Sequence, residues 1–141
     1  AAGVRALSHP PPQFSEKAMR GGAEARLLGK WGEMQVANYL RKQGYNIVDV
    51  NYRCRLGELD LVATNRKYLA FVEVKLRRND DIMTARESVT LSKQRKLRAA
   101  ALLYLQAHPT QLQPRFDVAE IYAPQGTATR HPHINYLENA F

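Results

Sequence analysis

The spacing of apolar residues along this chain predicts two helices. Between residues 24 and 43 apolar or small residues recur every three or four positions, which predicts a helix that ends at Gly44. Its inward stripe contains Gly29, Glu33, Val36, Ala37 and Leu40. A second helix with the same spacing is predicted from Ser88 or Ser92 to Ala107, just before a proline. An acid on the packing face of the first helix is unusual and indicates a site or packing demand.

Segments with strand composition separate and follow these helices. They cover residues 45–52, 57–63, 71–75 and 115–122, and a short last strand is predicted at 133–137. Residues 77–87 are charged and lack an apolar pattern, which predicts a loop. The resulting order, α-β-β-β-α-β-β, favours a single α/β domain of two or three layers.

The second and third predicted strands form a hairpin around the polar break at residues 64–67. If the hairpin closes there, Asp60 lies opposite Glu73 and Glu58 lies opposite Lys75. Glu73 and Lys75 share a face because side chains alternate along a strand. Two carboxylates that meet among Leu, Val and Phe are costly unless something compensates their charge.

A divalent cation is one such compensation, because Mg²⁺ and Mn²⁺ prefer oxygen ligands. We expect Asp60 and Glu73 to hold the metal, with the carbonyl of Val74 as a further ligand and Glu33 as a direct or water-mediated one. Lys75 would orient or deprotonate the attacking water, or stabilise charge in the transition state. These residue types support phosphodiester hydrolysis.

The composition favours a polyanionic partner for this site. The chain has 141 residues, a formal net charge of +8 and a sequence pI of about 9.9. Basic residues flank the acids on the strands and begin the second helix, and they form the predicted nucleic-acid surface: Arg53, Arg55, Arg77, Arg78, Lys93, Arg95 and Lys96. Each of them alone is also typical of an ordinary solvated face.

Two polar residues near the site keep alternative interpretations. Glu58 is either an accessory acid or the ion-pair partner that positions Lys75, and the second is slightly favoured. Gln94 lies on the apolar stripe of the second helix, where it either contacts phosphate or Lys75, or is a partly exposed residue at the helix start. Asp117 is interpreted as a distant acid or a strand-end cap outside the site.

Cysteine content and hydropathy bear on the compartment. The single cysteine, Cys54, is typical of a reducing compartment, so we expect a cytoplasmic protein. The sequence has no apolar run long enough for a membrane span, and no membrane partner is expected. Residues 1–23, rich in Pro and Gly, are interpreted as a flexible tail, and residues 24–141 as one domain.

Short motifs spread over residues 24–123 resemble one known family. They are GKWGE at 29–33, GELDLVA at 57–63, FVEVK at 71–75, a lysine near a helix start at position 93, and RFDV at 115–118. Together they resemble the small bacterial YraN family. That family is similar to restriction-endonuclease-like, or PD-(D/E)XK, nucleases, and among them to archaeal Holliday-junction resolvases. Leu59 stands where the wider superfamily has a proline before its metal-binding aspartate.

The resemblance implies a central mixed sheet flanked by helices, and a metal site made by Asp60, Glu73, Lys75 and Glu33. It also implies structured or branched DNA as the substrate. Two partner hypotheses accompany it: a homodimer that acts on two strands, and a DNA-processing partner protein. The first functional hypothesis is therefore a metal-dependent DNA endonuclease. The alternative is a non-catalytic nucleic-acid-binding or adaptor module that retains the nuclease fold. A third and weaker hypothesis is a purely structural partner-binding protein, in which Arg or Lys would satisfy the acids and no divalent ion would bind.

Overall fold

A five-stranded mixed sheet with one helix on each face forms the protein. The computed structural model describes residues 13–78 and 89–141, with side chains from residue 22 onward. The elements are α1 (Gln13–Lys42), β1 (Asn46–Cys54), β2 (Gly57–Thr64), β3 (Tyr68–Arg77), α2 (Leu91–Ala107), β4 (Gln113–Tyr122), a short 3-10 turn (Gly126–Ala128) and β5 (His133–Leu137). The strands lie in chain order, and all neighbours are antiparallel except β3 and β4.

The sheet separates two apolar clusters, which makes the domain three-layered. On one face α2 packs Leu97 and Tyr104 against Phe71 and Val118. On the other face α1 packs a cluster that includes Val36, Leu40, Leu61 and Val72. Because helices cover both faces, the central strands are apolar on both sides rather than alternating with polar residues. This confirms the predicted α/β class and the restriction-endonuclease-like arrangement of a mixed sheet between helices.

The predicted hairpin register is confirmed. In the antiparallel ladder between β2 and β3, Leu61 pairs with Val72 and Thr64 pairs with Leu69. The side chain of Asn65 closes the turn by accepting hydrogen bonds from the amides of Lys67 and Tyr68 at 2.9 and 2.7 Å. The same register, continued by one residue, brings Asp60 beside Glu73.

Two predicted boundaries differ from the structure. Helix α1 begins at Gln13 rather than Glu24, because the residues before Gly21 and Gly22 are good helix formers and the two glycines do not break the helix. Strand β3 extends to Arg77, so that residue is not in a loop. The predicted tail covers residues 1–23, and its part from residue 13 onward is instead helical. Residues 1–12 of that tail and most of the predicted 77–87 loop lie outside the described residues.

A buried ion pair anchors the C-terminal segment to the sheet. Asp117 is fully buried on β4 and accepts hydrogen bonds from Arg115, from the hydroxyl of Tyr136 and from the amide of Asn139. Arg115 also donates to the hydroxyl of Tyr45. Asp117 is thus a structural acid, which agrees with its exclusion from the predicted site.

Within residues 13–78 and 89–141, neither helix combines the length with the apolar character that a bilayer crossing requires. The cytoplasmic location stays a prediction.

Candidate functional site

The site lies where the ladder between β2 and β3 ends. Beyond the Leu61–Val72 pair, the amide of Val74 donates to Oδ2 of Asp60 at 2.9 Å. The acceptor is therefore a side-chain oxygen of β2 rather than a backbone carbonyl. Leu59 packs with the α2 cluster and Leu61 with the α1 cluster, although residues two apart in a regular strand share a face. The two leucines that flank Asp60 thus pack in different clusters, and the carboxylate of Asp60 lies within hydrogen-bond distance of β3.

Glu73 is the most buried acid of the site, with only 5% of its surface exposed. Its Oε2 lies 3.6 Å from Nζ of Lys75 and 3.7 Å from Nζ of Lys93. Its Oε1 is buried and has no hydrogen-bond partner among the described residues. A buried carboxylate oxygen without a partner costs free energy, on the order of 1–3 kcal/mol, so this oxygen is suited to accept a cation.

The two carboxylates repel each other. Burial and, after it, the nearby charge of Glu73 together raise the pKa of Asp60 to about 8, while the hydrogen bond from Val74 opposes the shift. A pair of buried acids with one strongly raised pKa is typical of a functional site. A divalent cation between them would remove both the desolvation and the repulsion that favour protonation.

Glu33 approaches the pair from α1. Its Oε1 accepts a hydrogen bond from Nδ2 of Asn51 at 2.9 Å. Burial raises the pKa of Glu33, and the charges of Glu58 and Glu73 add to the effect. Gly32 permits the close approach of α1, since a Cβ there would lie 2.9 Å from Cδ1 of Leu76 on β3. The side chain of Leu76 thus occupies the space that a Cβ at Gly32 would need, whereas Gly29 faces open space.

The donor set fits a divalent cation held by two acids more closely than one held by three. Asp60, which accepts the amide hydrogen bond of Val74, and the unpartnered oxygen of Glu73 would offer two hard carboxylate ligands to such a cation. In the part of the chain that the structure describes, no group of three His, Cys, Asp or Glu residues is arranged closely enough to hold a metal ion. Glu33 instead accepts a hydrogen bond from Asn51, so its role as a metal ligand stays a prediction.

Comparison with known proteins identifies the chain's relatives. A family model described as "Uncharacterised protein family UPF0102" matches residues 32–121. The chain belongs to the UPF0102 family. The UPF0102 protein of Syntrophomonas wolfei is 43% identical over 82% of this chain and 98% of its own length. That of Nocardia farcinica is 42% identical over 84% and 91%. The resemblance to the YraN family is confirmed, and the matched residues contain all four predicted catalytic residues.

Two expected contacts of this UPF0102 protein take a different form. Glu58 pairs with Arg53 on β1, with Oε2 3.1 Å from Nε, whereas Lys75 pairs with Glu73. The favoured partnership of Glu58 with Lys75 is therefore wrong in this structure, because Glu58 finds its partner on the other neighbouring strand. Gln94 donates from Nε2 to the carbonyl of Val89 at 3.0 Å, which gives it a structural role at the start of α2.

The predicted basic surface of the UPF0102 chain is largely accessible. The exposed members are Arg53, Arg55, Arg78, Arg95 and Lys96, and Lys93 is half-exposed. Arg77 is mostly buried and pairs with Glu120, whose Oε2 lies 3.3 Å from its Nε. Glu120 also accepts hydrogen bonds from Tyr122 and Asn135. Arg77 is thus engaged inside the sheet end, while the others present charge to solvent.

Sequence reasoning missed two contributors. Lys93 was expected on the phosphate surface, but it also contacts Glu73. Asn51 was not singled out, although it holds Glu33 and has a positive φ of 53°. An asparagine inside a strand pattern is a weak signal for such a backbone position, because asparagine tolerates the left-handed region better than most residues.

Proposed function

We propose that this protein is a divalent-metal-dependent endonuclease that hydrolyses phosphodiester bonds in DNA. The observation that carries the proposal is the pair formed by Asp60 and Glu73. Both carboxylates are largely buried at the open end of one strand pair, they repel each other, and one oxygen of Glu73 has no partner among the described residues. Inward acids of this kind cost stability, so a function that requires them is the simplest explanation.

In this proposal Asp60, Glu73 and the carbonyl of Val74 hold the cation. When bound, the cation would supply Lewis acidity and neutralise charge on the phosphate oxygens. Lys75 holds a positive charge 3.6 Å from Glu73, where it can orient the attacking water or stabilise the charge of the transition state. Glu33 adds negative charge to the site. It accepts a hydrogen bond from the side-chain amide of Asn51, and this bond fixes the orientation of the Glu33 carboxylate.

The substrate class in this proposal is structured or branched DNA. The net charge of +8 and the exposed arginines and lysines around the acids support a polyanionic substrate. The family resemblance supports branched DNA, cut by a homodimer or together with a DNA-processing partner. Mg²⁺ is the proposed cofactor, and Mn²⁺ an alternative to it.

A second candidate function is a nucleic-acid-binding or adaptor module without turnover. The specific observation that favours it is the pairing of the acids inside the protein. Oε2 of Glu73 lies near two lysine ammonium groups, and Glu33 is hydrogen-bonded to Asn51. In that case the acids would be compensated by the chain itself, and DNA binding would be salt-sensitive but independent of metal.

Cleavage of labelled DNA separates the two candidates. The substrates are single strand, duplex, flap, fork and four-way junction, each with Mg²⁺, Mn²⁺ or EDTA. We expect metal-dependent products with the wild type and a loss of at least about a hundredfold with Asp60→Asn. Asp49→Asn is the matched control, because Asp49 lies on β1 and accepts a hydrogen bond from its own neighbour, Val50.

Two results would favour the second candidate. One is binding without cleavage on every substrate. The other is cleavage that persists at the wild-type rate in Asp60→Asn, which would indicate a contaminating enzyme. Direct titration with Mn²⁺ by calorimetry adds a readout that does not depend on finding the correct substrate.

A further inference from the structure

A groove between α1 and the edge strand β1 opens beside the acids. Its volume is about 320 Å³, near the lower end of the range of roughly 300–1,000 Å³ that is typical of small-ligand sites. Ala37 on α1 and Leu61 on β2 are the buried apolar residues of its lining. None of the residues predicted to bind nucleic acid lines it.

Exposed apolar side chains form part of the groove wall. Met34 on α1 is 64% exposed and Val50 on β1 is 49% exposed. Large apolar side chains that line a concave surface together are a stronger indication of binding than scattered ones. A flat ring that packs against both would remove them from water.

Two cations lie along the helix on either side of Met34. Lys30 and Arg41 both line the groove, and Arg41 donates to Oδ1 of Asn38 at 2.9 Å. At 1.5 Å per residue they are separated by roughly 16 Å along α1. That is several times the rise of about 3.4 Å per nucleotide in one strand, so the two cations can contact different phosphates.

The groove is continuous with the candidate metal site. Glu33 and Asn51 line it and are hydrogen-bonded to each other. The charge of Glu33 also acts on Asp60. A strand that follows the groove therefore passes directly beside the acids.

From these features we infer that the α1–β1 groove binds a DNA single strand, with the base of one unpaired nucleotide on Met34 and Val50 and with phosphates of the strand on either side of that nucleotide near Lys30 and Arg41. The inference rests on the proposed nucleic-acid function and deepens it, since it assigns the unpaired strand of a branched substrate to a place beside Glu33. Single-strand binding generally combines a cationic groove with aromatic side chains on which bases stack, and in this groove Met34 and Val50 would take the place of the aromatic surface. A protein partner is disfavoured by the concave shape and by the cations along it.

The test is fluorescence anisotropy of a short labelled single strand and of the matching blunt duplex, in EDTA so that no cleavage occurs. Met34→Glu is compared with Leu102→Glu, because Leu102 on α2 is 63% exposed and the change of charge is identical. We expect Met34→Glu to weaken single-strand binding about tenfold more than the control, with equal effects of both variants on the duplex. A second pair, Arg41→Gln against Arg66→Gln in the hairpin turn, should show the same difference.

An equal loss in both members of each pair, or no single-strand binding by the wild type, would overturn the inference. Crosslinking of an iodouracil-containing strand should yield adducts on peptides of α1 or β1, and adducts only elsewhere would also reject it. If light scattering shows that Met34→Glu dissociates a dimer while single-strand binding is unchanged, the groove is a contact between copies and the inference fails. Because the assay measures binding without turnover, its result can be interpreted even if the protein proves not to be a nuclease.

Discussion

The ammonium group of Lys93 lies 3.7 Å from Oε2 of Glu73, although Lys93 lies in the first turn of α2 and Glu73 in the middle of β3. Lys75 contacts the same oxygen from the same strand as Glu73. One oxygen of Glu73 thus faces two cations, while the other has no partner among the described residues. This asymmetry determines how the site should respond to substitution.

Replacement of Lys93 by methionine should strengthen the binding of Mn²⁺ to the free protein. A bound cation repels Lys93 and competes with it for Glu73, so loss of the lysine removes both effects. We expect about a fivefold gain in affinity by calorimetry, which corresponds to about 1 kcal/mol. Lys96→Met, an exposed change on the same helix, should have a smaller effect, and equal or weaker binding by Lys93→Met would contradict the competition.

Asp60→Asn should change the pH dependence of stability when metal is absent. The pKa of Asp60 in the folded protein, about 8, lies above its ordinary value of 3.8, so its stabilising contribution is complete below pH 4 and is lost as the pH rises toward 8. An asparagine at this position has no proton to lose in this pH range. Its side-chain oxygen can still accept the hydrogen bond from the amide of Val74. In urea unfolding with EDTA, the variant should gain on the order of 3 kcal/mol over the wild type between pH 5 and pH 9.

The control for this prediction is Asp49→Asn, which also replaces a carboxylate by an amide but lies on β1, where it accepts a hydrogen bond from Val50. A pH-dependent gain that Asp49→Asn shares in full would not belong to Asp60. A constant difference for Asp60→Asn would show that Asp60 titrates normally in the folded protein.

Divalent metal should stabilise the folded protein through Glu73. At a concentration of Mn²⁺ about a hundredfold above its dissociation constant, the expected gain in unfolding free energy is about 2.7 kcal/mol. Glu73→Gln should abolish most of this gain, because it removes the charge at the buried position. Glu58→Gln is the matched control and should retain the gain, since Glu58 is engaged with Arg53. Thermal unfolding with Mn²⁺ and with EDTA measures both.

Alanine at the two helix glycines should give different results. Gly29→Ala adds a methyl group in open space and should stabilise the protein by up to about 1 kcal/mol through helix propensity. Gly32→Ala has the same propensity gain but must displace the side chain of Leu76, so it should be less stable than Gly29→Ala by about 1–2 kcal/mol. Chemical denaturation of both variants decides this, and equal stabilities would indicate that Leu76 moves without cost.

Metal affinity gives Gly32→Ala a second readout. A forced shift of α1 would also move Glu33 relative to Asp60. Weaker Mn²⁺ binding by Gly32→Ala, with unchanged binding by Gly29→Ala, is the expected pattern.

Local patterns predicted the centre of this site because they involve neighbouring residues. The polar break at residues 64–67 determined the hairpin register, and alternation placed Glu73 and Lys75 on one face. The partner of Glu58 could not be predicted in the same way. Strand β2 has a neighbour on each side, and alternation does not distinguish Arg53 on β1 from Lys75 on β3.

The sequence pattern also could not predict contacts that depend on how a whole helix packs against the sheet. Lys93 reaches Glu73 only because α2 packs against the sheet with its first turn near Glu73. The groove beside Glu33 likewise depends on how close α1 lies to β1, which periodicity does not specify.

The buried pair of Arg115 and Asp117 has a practical consequence for work on this chain. Asp117 depends on Tyr136 and Asn139, and the amide of Ala140 donates to the carbonyl of Phe116 at 2.7 Å. Removing residues after 135 would therefore leave a fully buried carboxylate with fewer donors at the middle of the sheet. Purification tags and shortened variants are better placed at the other end of the chain, so that a loss of activity is not mistaken for a defect in catalysis.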